Sequence, residues 1–345
     1  MKHTRFAIIG AGNIGGIHAH AIGSIKEAAV VAVCDKNEVI GRKLAEKYSA
    51  DWVPTYQDIA SRDDVEIACI CTPSGLHTDA AEVVTAAGKH ILVEKPMDIT
   101  LERIDRMIRS ARQNSVFLGC VFPSRFRIGV LKAKEAIEQG RLGRIVLLQG
   151  NIKWFRKESY YNVGWRGTWK LDGGGALMNQ SIHTIDLVQW FGGPIKSIFG
   201  KTATLRHTIQ TEDTGSALLE FENGALGVIQ GATSCYPGSS TRIEIHGTAG
   251  TIILEEGEIV EWAIKGASKD ECTQMLNLEP VGGSGSQDPM GITSEFHRRQ
   301  IVDMINAVQN KQQPAVTGEE GRKAVEIILA IYSSSQSNMP VKLPL

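Results

Sequence analysis

Apolar residues follow two different patterns along this 345-residue chain. Up to about residue 123, short apolar runs alternate with stretches whose apolar residues recur at helical spacing. The runs predict buried strands at 4–9, 30–34, 65–71, 89–93 and 116–120. The stretches between them predict helices at 39–48, near 58, at 78–87 and at 101–113. Strands that alternate with helices predict an α/β fold of the Rossmann type, a doubly wound parallel sheet with helices on both faces.

The pattern changes after residue 123. A helix is predicted over 130–139, followed by longer strands that are polar on one face and joined by short turns. These strands are predicted at 145–155, 195–205, 215–221, 225–232 and 242–246, with Asn223-Gly224 as a hairpin turn. They indicate a large, mostly antiparallel open sheet in an α+β domain. Two further helices are predicted at 295–309 and 318–334, and the Gly/Ser-rich segment 282–286 predicts a loop.

A chain of 345 residues is longer than one hydrophobic core usually supports, so we expect two domains. The first, 1–123, would be a dinucleotide-binding domain. The second, 124–345, would serve substrate binding and oligomerisation, and its C-terminal helix could pack back on the first domain. One face of the second sheet would remain available for a partner subunit, which predicts a homodimer or homotetramer.

Composition excludes several classes of function. The chain is 42% hydrophobic and 22% charged with a formal net charge of -1, so nothing indicates a nucleic-acid or membrane-surface binder. It shows no apolar leader and no run near the roughly 18 apolar residues of a membrane span, and we expect a cytoplasmic protein. Cys69 and Cys71 lack C-x-x-C spacing, so no metal site is expected from them.

The first strand runs directly into Gly10-Ala11-Gly12-Asn13-Ile14-Gly15, which has the spacing G-x-G-x-x-G. This spacing is typical of a turn that receives a dinucleotide pyrophosphate at a helix N-terminus. Asp35 ends the second strand twenty residues after Gly15, where a carboxylate accepts hydrogen bonds from a ribose. We therefore expect Gly10, Gly12, Asn13, Ile14 and Asp35 to bind NAD. The charge of Asp35 disfavours a 2′-phosphate, although Lys36 could offset it and leaves NADP open.

Two polar segments follow buried strands, where ligands of open α/β sheets bind. They are Thr72-Pro73 and Glu94-Lys95-Pro96, and we expect Thr72, Pro73, Glu94 and Lys95 to contact the cofactor. A lysine near the nicotinamide and partly desolvated would have a lowered pKa and could exchange a proton with a substrate hydroxyl. The alternative is a surface lysine at a strand end. His77 would either contact the cofactor or simply begin a helix.

A second group of candidates surrounds Gly173-Gly174-Gly175, which opens a predicted helix with a buried stripe of Leu177, Met178, Ile182 and Ile185. Asn179 and His183 are four residues apart, so they share a helix face and could point together into a cleft. Asp186 could orient His183 or be structural. A helical histidine considered alone is more often packed or solvated than catalytic.

Aromatic and arginine side chains precede that helix. They suit the faces and hydroxyl edges of a sugar ring, and packing between domains is an equal alternative. The candidate substrate-binding residues are Arg125, Tyr161, Trp165, Arg166, Asn179 and His183, with Tyr160 and Trp169 beside them.

These motifs together resemble the glucose-fructose oxidoreductase, inositol dehydrogenase and MocA family over nearly the whole chain. The resemblance rests on the glycine turn, on Glu94-Lys95-Pro96, on the glycines before Asn179 and His183, and on Gly318-Glu319-Glu320-Gly321-Arg322. It implies that Lys95 is the catalytic acid/base, that Pro96 follows a cis peptide bond, and that His183 contacts the reacting hydroxyl. Many members carry Asp where this chain has Asn179, so the proton falls to Lys95 or His183.

The leading hypothesis is an NAD(P)-dependent dehydrogenase that oxidises a secondary alcohol of a sugar, sugar derivative or cyclitol, with catalytic residues Lys95, His183 and Asn179. A second hypothesis is a glycoside-processing enzyme that uses the cofactor transiently and releases no NADH. A third is a non-enzymatic cofactor-sensing regulator. The retained Lys95 and His183 argue against the sensor, because a sensor needs only the nucleotide pocket.

Overall fold

The computed structural model describes residues 3–162, 164–278 and 293–345. The predicted loop at 282–286 lies outside the described residues. The chain divides into two compact units, and the first boundary falls after Pro123. The sequence prediction gave 124–345 to the second domain, whereas Ser294–Arg322 groups with the first unit. The reason is packing, because Ile301 and Met304 are buried in the same apolar cluster as Phe6.

The first unit contains the predicted parallel sheet. Its six strands are β1 (Thr4–Ile9), β2 (Ala28–Cys34), β3 (Asp51–Val53), β4 (Ile67–Ile70), β5 (His90–Val93) and β6 (Leu118–Cys120). They lie in the order β3-β2-β1-β4-β5-β6, and every neighbouring pair is parallel. This confirms the doubly wound prediction. Because the strands are parallel, the segments that follow β1, β2, β4 and β5 all emerge at one edge of the sheet.

Helices of the first unit connect these strands and cover the sheet. They are α1 (Asn13–Gly23), α2 (Glu38–Lys47), α3 (Tyr56–Ala60), α4 (His77–Ala86), α5 (Leu101–Gln113) and, from the C-terminal part, α9 (Glu295–Asn310). The side chains of Thr55 and Thr100 accept the N–H groups of Asp58 in α3 and of Arg103 in α5, as caps do at helix starts. The core combines sheet residues such as Ile8 and Leu92 with Ile22 of α1, so strands and helices are buried in one cluster.

The second unit is built on an eight-stranded sheet. Its strands are β7 (Ile145–Lys153), β8 (Ile195–Ala203), β9 (Thr214–Phe221), β10 (Leu226–Ala232), β11 (Arg242–Gly247), β12 (Gly250–Glu255), β13 (Glu258–Ile264) and β14 (Val341–Lys342). Their order is β13-β12-β11-β7-β10-β9-β8-β14, and among these pairs β7 and β10 are parallel while the others are antiparallel. The mostly antiparallel prediction and the Asn223-Gly224 hairpin are confirmed.

One face of the second sheet carries the helical layer. The helices are α6 (Ile128–Glu138), α7 (Ile182–Gly192), α8 (Lys269–Leu276) and α10 (Gly318–Ser337), with a π-helix, Ala176–Ser181, directly before α7. The division between the units falls within α10, after Arg322. A Cβ at Gly231 of β10 would lie 2.3 Å from the Ser181 hydroxyl. Glycine at that strand position therefore lets the π-helix pack closely on the sheet.

The opposite face of this sheet exposes apolar side chains. Phe199, Leu218 and Leu226 are 39%, 59% and 58% exposed. A partner subunit on this face stays a prediction. Within the described residues, none of the helices is both long and apolar enough to cross a bilayer.

Candidate active site

The glycines of the turn after β1 serve two different purposes. Gly10 and Gly15 avoid clashes within the chain, and Gly12 leaves open space. Gly10 has φ +102°, and a Cβ there would lie 2.6 Å from the Cys71 carbonyl oxygen. A Cβ on Gly15 would lie 2.0 Å from the Gly10 carbonyl oxygen. A Cβ on Gly12, the N-cap of α1, would meet nothing within 4 Å. The chain itself does not explain glycine at 12, and the open space over a helix N-terminus fits a pyrophosphate that approaches the backbone.

Asp35 lies immediately after β2, at the same edge of the sheet. Its Oδ2 accepts a hydrogen bond from the N–H of Ala11 at 2.7 Å, and its Oδ1 accepts one from Asn37 at 2.8 Å. The carboxylate is thus fixed against the glycine turn. Each oxygen retains a second lone pair, so the group can also accept hydrogen bonds from ribose hydroxyls. The residues of this turn and Asp35 fit an NAD adenosine and pyrophosphate.

His77, the first residue of α4, joins two of the predicted cofactor segments. Its Nε2 lies 2.8 Å from the Thr72 carbonyl oxygen and its Nδ1 lies 2.9 Å from the Pro96 carbonyl oxygen. The ring is almost fully buried. It therefore ties the segment after β4 to the segment after β5. A direct contact of His77 with the cofactor stays a prediction.

Lys95 follows β5 and is half-buried. The peptide bond to Pro96 is cis, as the resemblance implies. The buried Glu94 carboxylate accepts the Lys95 N–H at 3.1 Å through Oε2, and its Oε1 lies 2.8 Å from Nε2 of His18. Glu94 therefore anchors the backbone that carries Lys95.

The buried side chains of Glu94 and His18 shift each other's pKa. Burial would raise the pKa of Glu94, but the hydrogen bond and charge of His18, with His297 nearby, lower it below its ordinary value. Burial would lower the pKa of His18, but interactions with Cys69 and Glu94 raise it. Nε2 of His297 lies 3.9 Å from Oε1 of Glu94. The donor atoms of these three side chains lie close enough together to hold a metal ion, and the hydrogen bond between Glu94 and His18 forms without one.

In the second unit, a buried carboxylate, that of Glu212, holds the start of the π-helix that carries Asn179. Glu212 accepts the N–H groups of Gly175 at 3.0 Å and Leu177 at 2.8 Å, and the Tyr332 hydroxyl at 3.0 Å. Burial raises the pKa of Glu212 to about 7, although these donors favour its ionised form. A Cβ on Gly175 would lie 1.8 Å from the Glu212 carbonyl oxygen, so the backbone packs against this residue directly.

Asn179 lies in the π-helix and His183 in the first turn of α7, where His183 is half-buried. The Asn179 amide donates from Nδ2 to Oδ1 of Asp172 at 2.7 Å. The predicted stripe of Leu177, Met178, Ile182 and Ile185 is buried as expected. The predicted helix is therefore real, but its first turn is π-helical. Apolar spacing alone did not distinguish the π-helix from an α-helix.

Arg125 and Asp186 form a buried, two-pronged ion pair. The Arg125 Nε and Nη2 donate to the two carboxylate oxygens at 2.8 and 2.7 Å, and the side chains are 4% and 1% exposed. This geometry satisfies both charges away from water. Of the two roles considered for Asp186, this contact supports the structural one. Substrate binding by Arg125 stays a prediction.

The aromatic candidates have different environments. The Tyr161 hydroxyl pairs with Thr233 at 2.8 Å and is buried, which is a packing role. The Arg166 guanidinium lies 4.1 Å above the Tyr160 ring, and Gln180 of the π-helix donates to the Tyr160 hydroxyl at 2.8 Å. Trp165 is half-buried and Trp169 is exposed. Trp165 and Arg166 thus remain candidates for contact with a ligand.

Sequence reasoning missed the residues that hold these segments in place. Glu212 lies 37 residues from Gly175, and His18 lies 76 residues from Glu94. The sequence around Glu212 and around His18 gives no sign of these contacts, because the partners meet only after the chain folds. Asp172 did have one, since it directly precedes the three glycines.

Family models match both parts of the chain. A model described as an oxidoreductase family with an NAD-binding Rossmann fold matches residues 4–122. A model of the GFO/IDH/MocA C-terminal domain matches residues 130–253.

Individual relatives extend over the whole chain. Myo-inositol 2-dehydrogenase of Thermotoga maritima is 26% identical, with 98% of each chain covered. The structure of the WlbA dehydrogenase from Bordetella pertussis, in complex with NADH and UDP-GlcNAcA, superimposes with a TM-score of 0.91 at 32% identity, covering 100% of this chain and 99% of that one. Levoglucosan dehydrogenase with NADH and L-sorbose superimposes with a TM-score of 0.88 at 21% identity over both full lengths, and shares the fold.

Proposed function

Because this chain belongs to the GFO/IDH/MocA family of NAD-binding oxidoreductases, we propose that it oxidises a secondary alcohol of a sugar derivative. In this proposal Lys95 accepts the hydroxyl proton and His183 contacts the reacting hydroxyl. NAD is the cofactor, and when bound it supplies the acceptor for the hydride of the alcohol carbon. The observation that carries the proposal is the position of Lys95 at the sheet edge that also bears the glycine turn and Asp35.

We assign the proton to Lys95 rather than to His183, because the resemblance of Glu94-Lys95-Pro96 to the family motif implies the acid/base role for this lysine. An amine accepts a proton when its pKa lies near the working pH, and a nearby positive nicotinamide favours the neutral amine. Asn179 is a neutral amide, so it can position a hydroxyl but cannot act as a carboxylate base. His183 offers a hydrogen bond to the same hydroxyl. The products are a ketone, the reduced cofactor and one proton carried by Lys95.

The substrate class is proposed from the relatives together with the side chains near the π-helix. The structural relative at 32% identity contains UDP-GlcNAcA, an acidic nucleotide-linked sugar. In this chain Arg156 is buried and lies 4.7 Å from the Trp154 ring, and Arg166 lies over Tyr160. Arginine beside aromatic rings suits sugars with carboxylate or phosphate groups. Nucleotide-linked sugar acids therefore come first in a substrate screen, and free sugars and cyclitols second.

The test is a screen of these compounds with NAD and NADP at the nicotinamide absorbance, followed by Lys95→Met. We expect the variant to lose about 100-fold or more in kcat, because a positioned acid/base contributes about that much. NAD affinity, measured by calorimetry, should stay within about twofold.

Lys43→Met provides the matched control, because Lys43 is an exposed lysine on α2. Full activity in the Lys95 variant would contradict the proposal. Product formation without NADH would instead identify the transient use of the cofactor. The relatives reported above that are named dehydrogenases favour net oxidation.

A further inference from the structure

The carboxylate of Asp172 joins two segments of the candidate site that the proposed function treats separately. Asp172 is 2% exposed. Its Oδ1 accepts Nδ2 of Asn179 at 2.7 Å, and its Oδ2 accepts the N–H of Gly167 at 2.8 Å. One buried group therefore connects the π-helix to the loop that carries Trp165 and Arg166.

The first consequence concerns the direction of the Asn179 amide. An ionised carboxylate only accepts hydrogen bonds, so the NH₂ end of the amide must face Asp172. The Oδ1 end then faces away from Asp172. An amide that could adopt either orientation is fixed as an acceptor toward a substrate hydroxyl.

The second consequence concerns the loop. Gly167 has φ +69°, and a Cβ there would lie 2.9 Å from the side chain of Ile209. The Thr168 carbonyl oxygen accepts the N–H groups of Asp172 at 3.1 Å and of Gly173 at 3.2 Å. The loop is thus wound tightly around the Asp172 backbone while its Gly167 N–H contacts the Asp172 side chain. A shift of that side chain would move the loop as well.

We propose that Asp172 is a positioning residue for substrate binding. It orients Asn179 as a hydrogen-bond acceptor and holds the Trp165–Arg166 loop at a fixed spacing from it. The inference rests on the proposed function, because it takes Asn179 as a substrate contact. The substrate it selects carries a hydroxyl that donates to Oδ1 of Asn179 beside the reacting carbon.

A carboxylate is required by the two donors that converge on it. A substitution of Asp172 by Asn keeps the shape, but one end of the new amide is itself a donor. If that end faces the Gly167 N–H, the hydrogen bond to the loop is lost. If it faces Asn179, the Asn179 amide must turn and present its NH₂ to the substrate, so one of the two roles of Asp172 is lost in either case. The substitution therefore removes the positioning role of Asp172 with little change in side-chain volume.

The test compares Asp172→Asn, Asn179→Asp and the double variant with the wild type. We expect each single variant to lower kcat/KM about 100-fold, since small misplacements at a reacting centre cost about that much. NAD affinity should stay within about twofold. The double variant restores one carboxylate facing one amide, and we expect it to recover about tenfold over either single variant.

The pH profile separates positioning from general stability. In the double variant the carboxylate faces the substrate, so kcat/KM should show an additional decline at acidic pH that the wild type lacks. A double variant no better than the single ones, or one whose pH profile matches the wild type, would overturn the proposal. An Asp172→Asn variant that keeps kcat/KM within threefold of the wild-type value would also overturn the proposal. Asp270→Asn, at an exposed residue of α8, is the control that should change nothing.

A measurement that needs no turnover keeps the two proposals distinguishable. Hydrogen exchange of the peptide covering Gly164–Asp172 should become faster in Asp172→Asn and return toward the wild-type rate in the double variant. Unchanged exchange in the single variant would overturn the role of Asp172 in holding the Trp165–Arg166 loop, even if the dehydrogenase activity is found. A wild-type protein that oxidises none of the screened compounds would overturn the proposed function and leave the exchange result standing.

Discussion

Both units place candidate site residues on glycine-rich turns, but the glycines have different neighbours. A Cβ on Gly12 would meet no atom of the chain within 4 Å, whereas a Cβ on Gly175 would lie 1.8 Å from the Glu212 carbonyl oxygen. The first glycine leaves room for something outside the chain. The second lets two parts of the chain pack together. The comparison teaches that glycines of similar appearance in the sequence can mark either a ligand or a fold contact.

The anchors of the two regions differ in the same way. In the first unit Asp35 contacts Ala11 across 24 residues, within one strand-helix-strand unit. In the second unit Glu212 contacts Gly175 across 37 residues and Tyr332 across 120. Asp35 and the glycine turn are therefore held together by nearby chain, and the π-helix is held by distant chain. A substitution at Gly12 should therefore affect ligand binding, whereas a substitution at Gly175 should affect folding.

The largest effect is expected from Gly175→Ala. The new Cβ would overlap a backbone oxygen, which cannot move as a flexible side chain can. We expect a loss of about 3 kcal/mol or more in the free energy of unfolding, measured by chemical denaturation. Gly12→Ala is the matched control and should unfold like the wild type. Equal stability of the two variants would remove the distinction between the regions.

An intermediate effect is expected from Glu212→Gln. The pKa of Glu212 is raised from 4.5 to about 7 in the folded protein, so the folded state holds this proton more tightly than the unfolded chain. The stability that the proton provides is fully present below about pH 4.5 and is lost as the pH rises through about 7. We expect the wild type to lose about 3 kcal/mol across this window and the variant to lose less.

Denaturation curves at several pH values would measure this difference. Glu222→Gln, at an exposed carboxylate, should leave the pH dependence as in the wild type. A wild-type stability that does not decline between pH 5 and 8 would show that Glu212 ionises without cost, and that the π-helix start is not sensitive to its charge.

The smallest effect is expected from the ligand side of the comparison. Gly12→Ala should weaken NAD binding about tenfold, or about 1.4 kcal/mol, because the methyl group occupies space over the helix N-terminus. Calorimetric titration of NAD would measure it. A variant that binds NAD as tightly as the wild type would mean that the open space at Gly12 serves no pyrophosphate.

Much of the fold followed from local pattern. The parallel strands were predicted from short apolar runs, because they are buried on both faces. The hairpin was predicted from Asn223-Gly224, and the buried stripe of the π-helix and α7 from helical spacing. Strands β12 and β13 were not predicted. Glu255, Glu258 and Glu261 have low strand propensity, and in the structure β12 pairs with β11 while β13 pairs with β12.

The sequence by itself determined the dinucleotide-binding turn, the family and the identity of Lys95, Asn179 and His183 as candidates, because each depends on residues close together in the chain. Only the tertiary structure decided what holds those candidates. It brought His18 to Glu94, paired Arg125 with Asp186, and set Glu212 under the π-helix. The physical reason is that a buried charge needs a partner, and the fold can supply that partner from any distance along the chain.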